Sequence, residues 1–178
     1  MLSEIFSQLK DQWIRSKYQK KHPFRYFVLS TFSSSSGVEA RTVVLRNFNS
    51  ESVHFTIYSD ERSKKLKALQ EDKRVCLLFY DPKKLWQVKV DAVLLKKSRD
   101  SKLYSQLPPS ARKDYTTQHP PGSPISNPEE IDYDEDKNHF VAIEFEALAI
   151  ESLKLKRPHH VRTLFERKTN WEGSYLVP

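Results

Sequence analysis

Arg41-Thr42-Val43-Val44-Leu45-Arg46 reads as a β-strand, with β-branched residues at its centre. Working outward, Asn47-Phe48-Asn49-Ser50 carries turn chemistry, and Val53 to Tyr58 alternates as a second strand. The two strands and their short link predict a hairpin. Ser59 and Asp60 are N-cap candidates for a short helix that places Leu66 and Leu69 on one face. Arg74 to Tyr80 is apolar enough for a buried strand, and Asp81-Pro82-Lys83-Lys84 turns the chain. Leu85 to Leu95 then alternates. Trp86, Val88, Val90 and Ala92 fall on one face, and Leu85, Gln87, Lys89 and Asp91 on the other.

The flanks continue the pattern. Leu2, Ile5, Phe6, Leu9 and Trp13 form a helical stripe within residues 1–20, with Ser3 as N-cap. Phe24 to Phe32 is a strand, broken by Ser33-Ser34-Ser35-Ser36-Gly37. Downstream, Ser98 to Leu107 predicts a short helix ended by Pro108-Pro109, and Ala111 to Gln118 a second helical piece. Residues 119–138 hold Pro120, Pro121, Pro124 and Pro128 and the acidic run Asp132-Tyr133-Asp134-Glu135-Asp136, which predicts an irregular surface excursion. Strands resume at Phe140 to Ile150, Val161 to Glu166 and Trp171 to Val177. Few strands lead into long helices, so the fold class is mainly β with a few short helices. A closed or split barrel over one domain, 1–178, fits best.

Composition narrows the partners. The 178 residues carry a formal net charge of +7, which favours nucleic acid, phosphorylated metabolites or phosphate-bearing cofactors. No run of five or six basic residues marks a nucleic-acid tail. No stretch is long and apolar enough for a membrane span, and the first residues lack a signal-peptide layout. The lone Cys76 excludes an internal disulfide and fits a reducing, cytoplasmic setting. Amid Val75, Leu77 and Leu78 it reads as a buried, inert thiol. Three glycines, Gly37, Gly122 and Gly173, exclude a Rossmann or P-loop fingerprint. His159-His160, read as adjacent strand positions, point to opposite faces and chelate poorly, and no zinc spacing exists, so no metal is expected.

Taken in order, several short motifs resemble the pyridoxamine 5'-phosphate oxidase-like superfamily, whose members are FMN-binding split barrels. Arg41 to Arg46 resembles the family's Arg-x-Val-Leu-Leu-Lys strand, Ile57-Tyr58-Ser59 its Phe-Tyr-Thr, and Ser63-Lys64-Lys65 its Ser-Arg-Lys at a helix start. Leu77-Leu78-Phe79-Tyr80 and Trp86-Gln87-Val88 match two adjacent strands. His160-Val161-Arg162 resembles the family's His-Asp-Arg, and Trp171 with Leu176-Val177-Pro178 its closing residues.

The resemblance implies FMN as cofactor, a homodimer with the flavin at its interface, and a flavoprotein oxidoreductase. It implies cofactor-binding roles for Arg41, Thr42, Val43, Val44, Tyr58, Ser59, Ser63, Lys64, Lys65 and Gln87, with Arg162 approaching from the partner subunit. Physical chemistry agrees about the phosphate. A dianion suits the planar fork of Arg41, the point charges of Lys64 and Lys65, the hydroxyls of Ser59 and Ser63, and a helix N-terminus.

The substrate half departs from the family pattern. Arg46 replaces a Lys, Tyr104 matches, Pro108 stands near the expected Arg, and Arg112 near the expected Ser. His160 matches, but Pro158 replaces the Arg two residues before it, and Leu153 stands for a Trp. Arg46, Tyr104 and His160, with Arg112, are the substrate-side candidates. The expected substrate is a small molecule other than pyridoxamine 5'-phosphate. Two competing readings remain. One is a flavin-binding, stress-associated protein without turnover. The other is a basic nucleic-acid-binding barrel using Phe24-Arg25-Tyr26-Phe27, although alternation would bury half of those rings.

Overall fold

The computed structural model describes residues 1–134 and 136–178, so Glu135 of the acidic run lies outside the described residues. Helix α1 (Leu2–Tyr18) buries Leu9, Trp13 and Ser16. Met1 takes the N-cap position, so Ser3 lies within the first turn and does not cap the helix. Strands β1 (Tyr26–Ser33) and β2 (Gly37–Val44) form an antiparallel hairpin from Tyr26↔Val44 to Ser33↔Gly37. Gly37 supplies the left-handed φ of +69° that this tight turn needs.

The hairpin expected between residues 41–46 and 53–58 does not form. Asn47–Asn49 is a short strand, β3, and it pairs with β4 (His54–Asp60). The turn chemistry of that stretch acts slightly later. Asn49 Oδ1 accepts the backbone N–H groups of Glu51 and Ser52 at 3.0 and 3.1 Å. Leu45 N–H donates to Arg25 O at 2.8 Å, and Arg46 N–H donates to Thr56 O at 2.9 Å. Residues 45 and 46 therefore carry the chain from one end of the sheet to the other.

Strands β5 (Arg74–Asp81), β6 (Trp86–Ser98) and β7 (Phe140–Lys154) complete the order β2-β1-β5-β6-β7-β4-β3. Strands β8 (Val161–Glu166) and β9 (Gly173–Leu176) extend from β7. The result is a mainly antiparallel barrel, split where β2 and β4 approach without pairing. Strand β6 alternates as its sequence predicts, burying Trp86, Val88, Val90 and Ala92 and exposing Gln87 and Asp91.

Helix α2 (Lys64–Glu71) starts later than expected. Ser59 and Asp60 belong to β4, and Ser63 occupies the N-cap position. Asp60 instead organises the bend between strand and helix. Its carboxylate accepts Arg62 N–H at 2.8 Å and the Arg62 guanidinium at 2.7 and 3.0 Å. Helix α3 (Ser101–Ser105) is capped by Asp100, which accepts Leu103 N–H at 2.9 Å. Pro109 begins helix α4 (Pro109–Lys113), because the first helical position tolerates the missing N–H. The second helical piece therefore ends before Tyr115. Residues 119–134 are irregular apart from a short 3-10 turn at Pro128–Glu130. Arg62 anchors the start of this excursion by donating to Thr117 O at 2.9 Å and Gln118 O at 3.0 Å.

Helix α1 plugs one end of the barrel. The Trp13 ring lies 4.9 to 6.4 Å from the rings of Phe55, Phe48, Phe79 and Phe24. Cys76 is half-buried on the outer face of β5, outside this core, and desolvation raises its thiol pKa. Among the described residues no helix is long and apolar enough to cross a membrane. Trp13→Ala is expected to lower stability by about 3–5 kcal/mol in urea unfolding, the range for deleting a buried large aromatic ring. An unchanged midpoint would show that the helix does not plug the barrel.

Candidate functional site

The split between β2 and β4 brings charge and hydroxyl groups together. Inward alternation along β4 buries Ser59, and the first residue before α2 buries Ser63. Their hydroxyls lie 3.2 Å apart. Lys65 Nζ donates to both, at 2.9 Å to Ser59 and 3.2 Å to Ser63. Ser63 therefore turns to the lysine and leaves the helix N-terminus without a side-chain cap. Of that first turn, Leu66 N–H donates to Ser63 O at 3.0 Å, and the N–H groups of Lys64 and Lys65 have no carbonyl within the helix to donate to.

Arg41 reaches the same region from β2. Its guanidinium donates to Thr31 Oγ1 at 2.7 Å and Leu29 O at 3.4 Å, and it pairs with Glu39 at 3.3 Å. Burial lowers the Lys65 pKa most, and the Arg41 charge lowers it further; Asp60 works in the opposite direction. Among the described residues no carboxylate lies within ion-pair distance of Lys65, because Asp60 is engaged by Arg62. Two cations, two hydroxyls and an open helix end suit a tetrahedral dianion. Lys64 is exposed and outside this cluster. Val43 packs toward the core, Val44 is half-buried, and Thr42 is exposed.

A second group lies on the opposite face of β4. Tyr58 packs edge-on against Phe140 at 5.0 Å, and the Arg46 guanidinium lies over the Tyr58 ring at 5.4 Å. Tyr104 and Tyr115 approach the same Phe140 at 5.6 and 5.1 Å. Desolvation raises the phenol pKa of Tyr58 and Tyr115, and Arg46 opposes the shift in each. A cavity of about 550 Å³ opens beside Arg46 and Tyr58. Arg112 lies near this group, its backbone carbonyl 3.4 Å from the Tyr104 hydroxyl. Sequence reading missed Phe140 and Tyr115 as members. Phe140 read as ordinary strand, and Tyr115 fell inside a helical piece.

The remaining candidates lie elsewhere. Gln87 is exposed on the outer face, opposite Tyr80 on one side and Leu153 on the other. Leu153 is in turn opposite Arg162, whose guanidinium donates twice to Glu151 Oε1, at 2.7 and 3.0 Å. Within one chain neither Gln87 nor Arg162 bonds to the Lys65 cluster. His159 and His160 belong to the link between β7 and β8, outside any strand, so the alternation argument about their faces does not apply. His160 Nδ1 accepts Lys156 N–H at 3.2 Å. Among the described residues no three His, Cys, Asp or Glu side chains are placed to hold a metal ion.

Comparison with known proteins adds a family. The model described as "Pyridoxamine 5'-phosphate oxidase, FMN-binding domain" matches residues 4–94. The matched stretch holds Arg41, Ser59, Ser63, Lys65 and Gln87, and ends before Tyr104, His160 and Arg162. No curated protein matches the chain by sequence. Among solved structures, a pyridoxamine 5'-phosphate oxidase-related, FMN binding protein from Nostoc punctiforme superposes with a TM-score of 0.76 at 19% identity, covering 94% of this chain and 95% of that one. PhzG from Burkholderia lata gives 0.76 at 16% identity, covering 97% and 91%. General Stress Protein 26 from Bacillus anthracis gives 0.53 at 17% identity, covering 86% and 98%. At these identities the likeness is one of fold.

Lys65→Met should stabilise the ligand-free protein by roughly 0.5–2 kcal/mol at neutral pH, because it removes a desolvated charge beside Arg41. The folded lysine titrates below its unfolded value, so wild-type stability rises with pH between the two. The gap between wild type and variant, read from urea midpoints, should therefore narrow on the alkaline side. A variant less stable than wild type at neutral pH would show that Lys65 is structural.

Proposed function

The chain belongs to the pyridoxamine 5'-phosphate oxidase, FMN-binding domain family, and on that premise we propose that it is an FMN-dependent oxidoreductase acting on a small molecule other than pyridoxamine 5'-phosphate. The observation that carries this reading is the Lys65 ammonium. It is desolvated, set beside Arg41, and met only by the hydroxyls of Ser59 and Ser63. Such a group is stabilised when a phosphate arrives to neutralise it. The donor set fits the phosphate of FMN. Arg41, Lys65, Ser59 and Ser63 would hold it, with Lys64 covering its solvent side. The strand Thr42, Val43 and Val44 would run along the ring system, whereas Tyr58, on the other face of β4 from Ser59, stands apart from it.

FMN, when bound, supplies hydride or electron transfer. The side chains orient it and exclude water. Gln87 and Arg162 would reach the flavin from a second copy, since within one chain they stand apart from the Lys65 cluster. The outer face supports such a homodimer. Tyr26, Phe32, Val38 and Tyr80 are each at least 46% exposed there. Register places Phe32 opposite Val38 near one end of the β1–β2 hairpin and Tyr26 opposite Val44 at the other. A cytoplasmic, reducing setting suits the unpaired Cys76. The PhzG structure contains tetrahydrophenazine-1-carboxylic acid. That supports a fold open to substrates unlike pyridoxamine 5'-phosphate.

Purified protein is expected to be yellow, with FMN identified by mass spectrometry after release. Arg41→Ala combined with Lys65→Ala should lose the flavin while remaining folded by circular dichroism. Full occupancy in that double variant would contradict the phosphate assignment. Reduction by NADH or NADPH, followed by reoxidation with substrate, separates an enzyme from a flavin carrier. Colourless protein that retains nucleic acid would favour the basic-barrel reading.

A further inference from the structure

The cavity beside Arg46 carries a charge pattern that the flavin site does not use. Its floor is the outer face of four strands. Asn47 on β3, Thr56 on β4, Glu144 on β7 and Lys96 on β6 stand opposite one another in a single row. Tyr58, Ala142 and Ser98 form the next row. Lys17, from the last turn of α1, donates to Asn47 Oδ1 at 2.8 Å, which fixes an ammonium at one end. Lys96 stands at the other end. Arg46 overhangs Tyr58 between them.

Among the described residues none of these three cations lies within ion-pair distance of a carboxylate. Both acids that line the cavity are engaged elsewhere. Glu144 Oε1 lies 3.0 Å from His54 Nδ1, and Asp100 caps α3. Three cations against the two carboxylates Glu144 and Asp100 leave the lining of this cavity of about 550 Å³ net positive, which favours an anionic ligand, and that volume is ordinary for a small-molecule site. Spacing refines the class. Three strand-to-strand steps separate Asn47 from Lys96, on the order of 14 Å. The negative Glu144 occupies the middle of the row and disfavours an anionic group there.

We propose that this cavity takes the substrate as an elongated dianion. One acidic group is held by Lys17 with Arg46, the other by Lys96, and an apolar or aromatic body lies over Tyr58 and Ala142. The inference rests on the reading of Arg46 as a substrate-side residue, and it makes Lys17 and Lys96 specificity-determining. The shared chemistry is two separated anionic groups, carboxylate or phosphate.

The test uses the protein as purified. Isothermal titration at low salt compares naphthalene-2,6-dicarboxylate with 2-naphthoate, and naphthalene-2,6-diyl bisphosphate with 2-naphthyl phosphate. For at least one pair, the doubly substituted probe should bind tenfold or more tightly than its partner, with the advantage shrinking as salt rises. Lys96→Ala and Lys17→Ala should each remove the advantage. Both positions are exposed, so the variants fold. Equal affinities within both pairs would overturn the proposal, as would an advantage that survives in both variants. Flavin content is read separately from absorbance. Flavin-free protein that keeps the preference leaves this proposal standing and removes the flavin reading. Flavin-loaded protein without the preference does the reverse.

Discussion

Arg41 and Lys65 are like charges held together at the split of a barrel, and the groups that touch the Lys65 ammonium are the hydroxyls of Ser59 and Ser63. That arrangement raises the energy of the ligand-free state. Two serines are buried to form it, a helix N-terminus is left uncapped, and β4 must end where α2 begins. The Asp60–Arg62 pair draws off a carboxylate that could have neutralised the lysine. The same pair ties the irregular excursion to the site, through Thr117 and Gln118. The like-charge pair, the buried serines and the uncapped helix end each oppose stability taken singly and are consistent as preparation for a phosphate.

Much of the fold was legible in the sequence because it rests on local signals. The period-two pattern of Trp86 to Ala92 and the helical stripe from Leu2 to Trp13 each have one physical solution. The pairing of strands was less legible. Asn47-Phe48-Asn49 combines turn residues with one aromatic, and burial of Phe48 against Trp13 and Phe55 decides for a strand. That contact comes from α1, far away in sequence, so no local rule finds it. Ser59 and Asp60 misled for a related reason. Both are good capping residues, but one serves the Lys65 cluster and the other holds Arg62.

The site shows the same division. Arg41, Ser59, Ser63 and Lys65 were readable as a motif and the fold gathers them. Gln87 and Arg162 were readable too, yet one chain leaves them on a different face, consistent with a site completed by a second copy. Phe140 and Tyr115 carried no signal, since an aromatic residue in a strand or helix is most often core. The cavity proposed for substrate depends on register. Lys17, Arg46 and Lys96 are remote in sequence, and only the four-strand row sets them around one space. Arg46 thereby divides the two sites. It stands just beyond β2, the strand that carries Arg41, and reaches out over Tyr58, on the other side of β4 from Ser59.

The most direct test of the phosphate site is the pKa of the Lys65 ammonium itself, followed by NMR on isotopically labelled protein with and without FMN. The value expected without ligand lies below that of an ordinary lysine, and FMN should move it upward as the phosphate neutralises the site. A Lys65 pKa that is ordinary in the free protein and unmoved by FMN would contradict a phosphate site between Arg41 and Lys65.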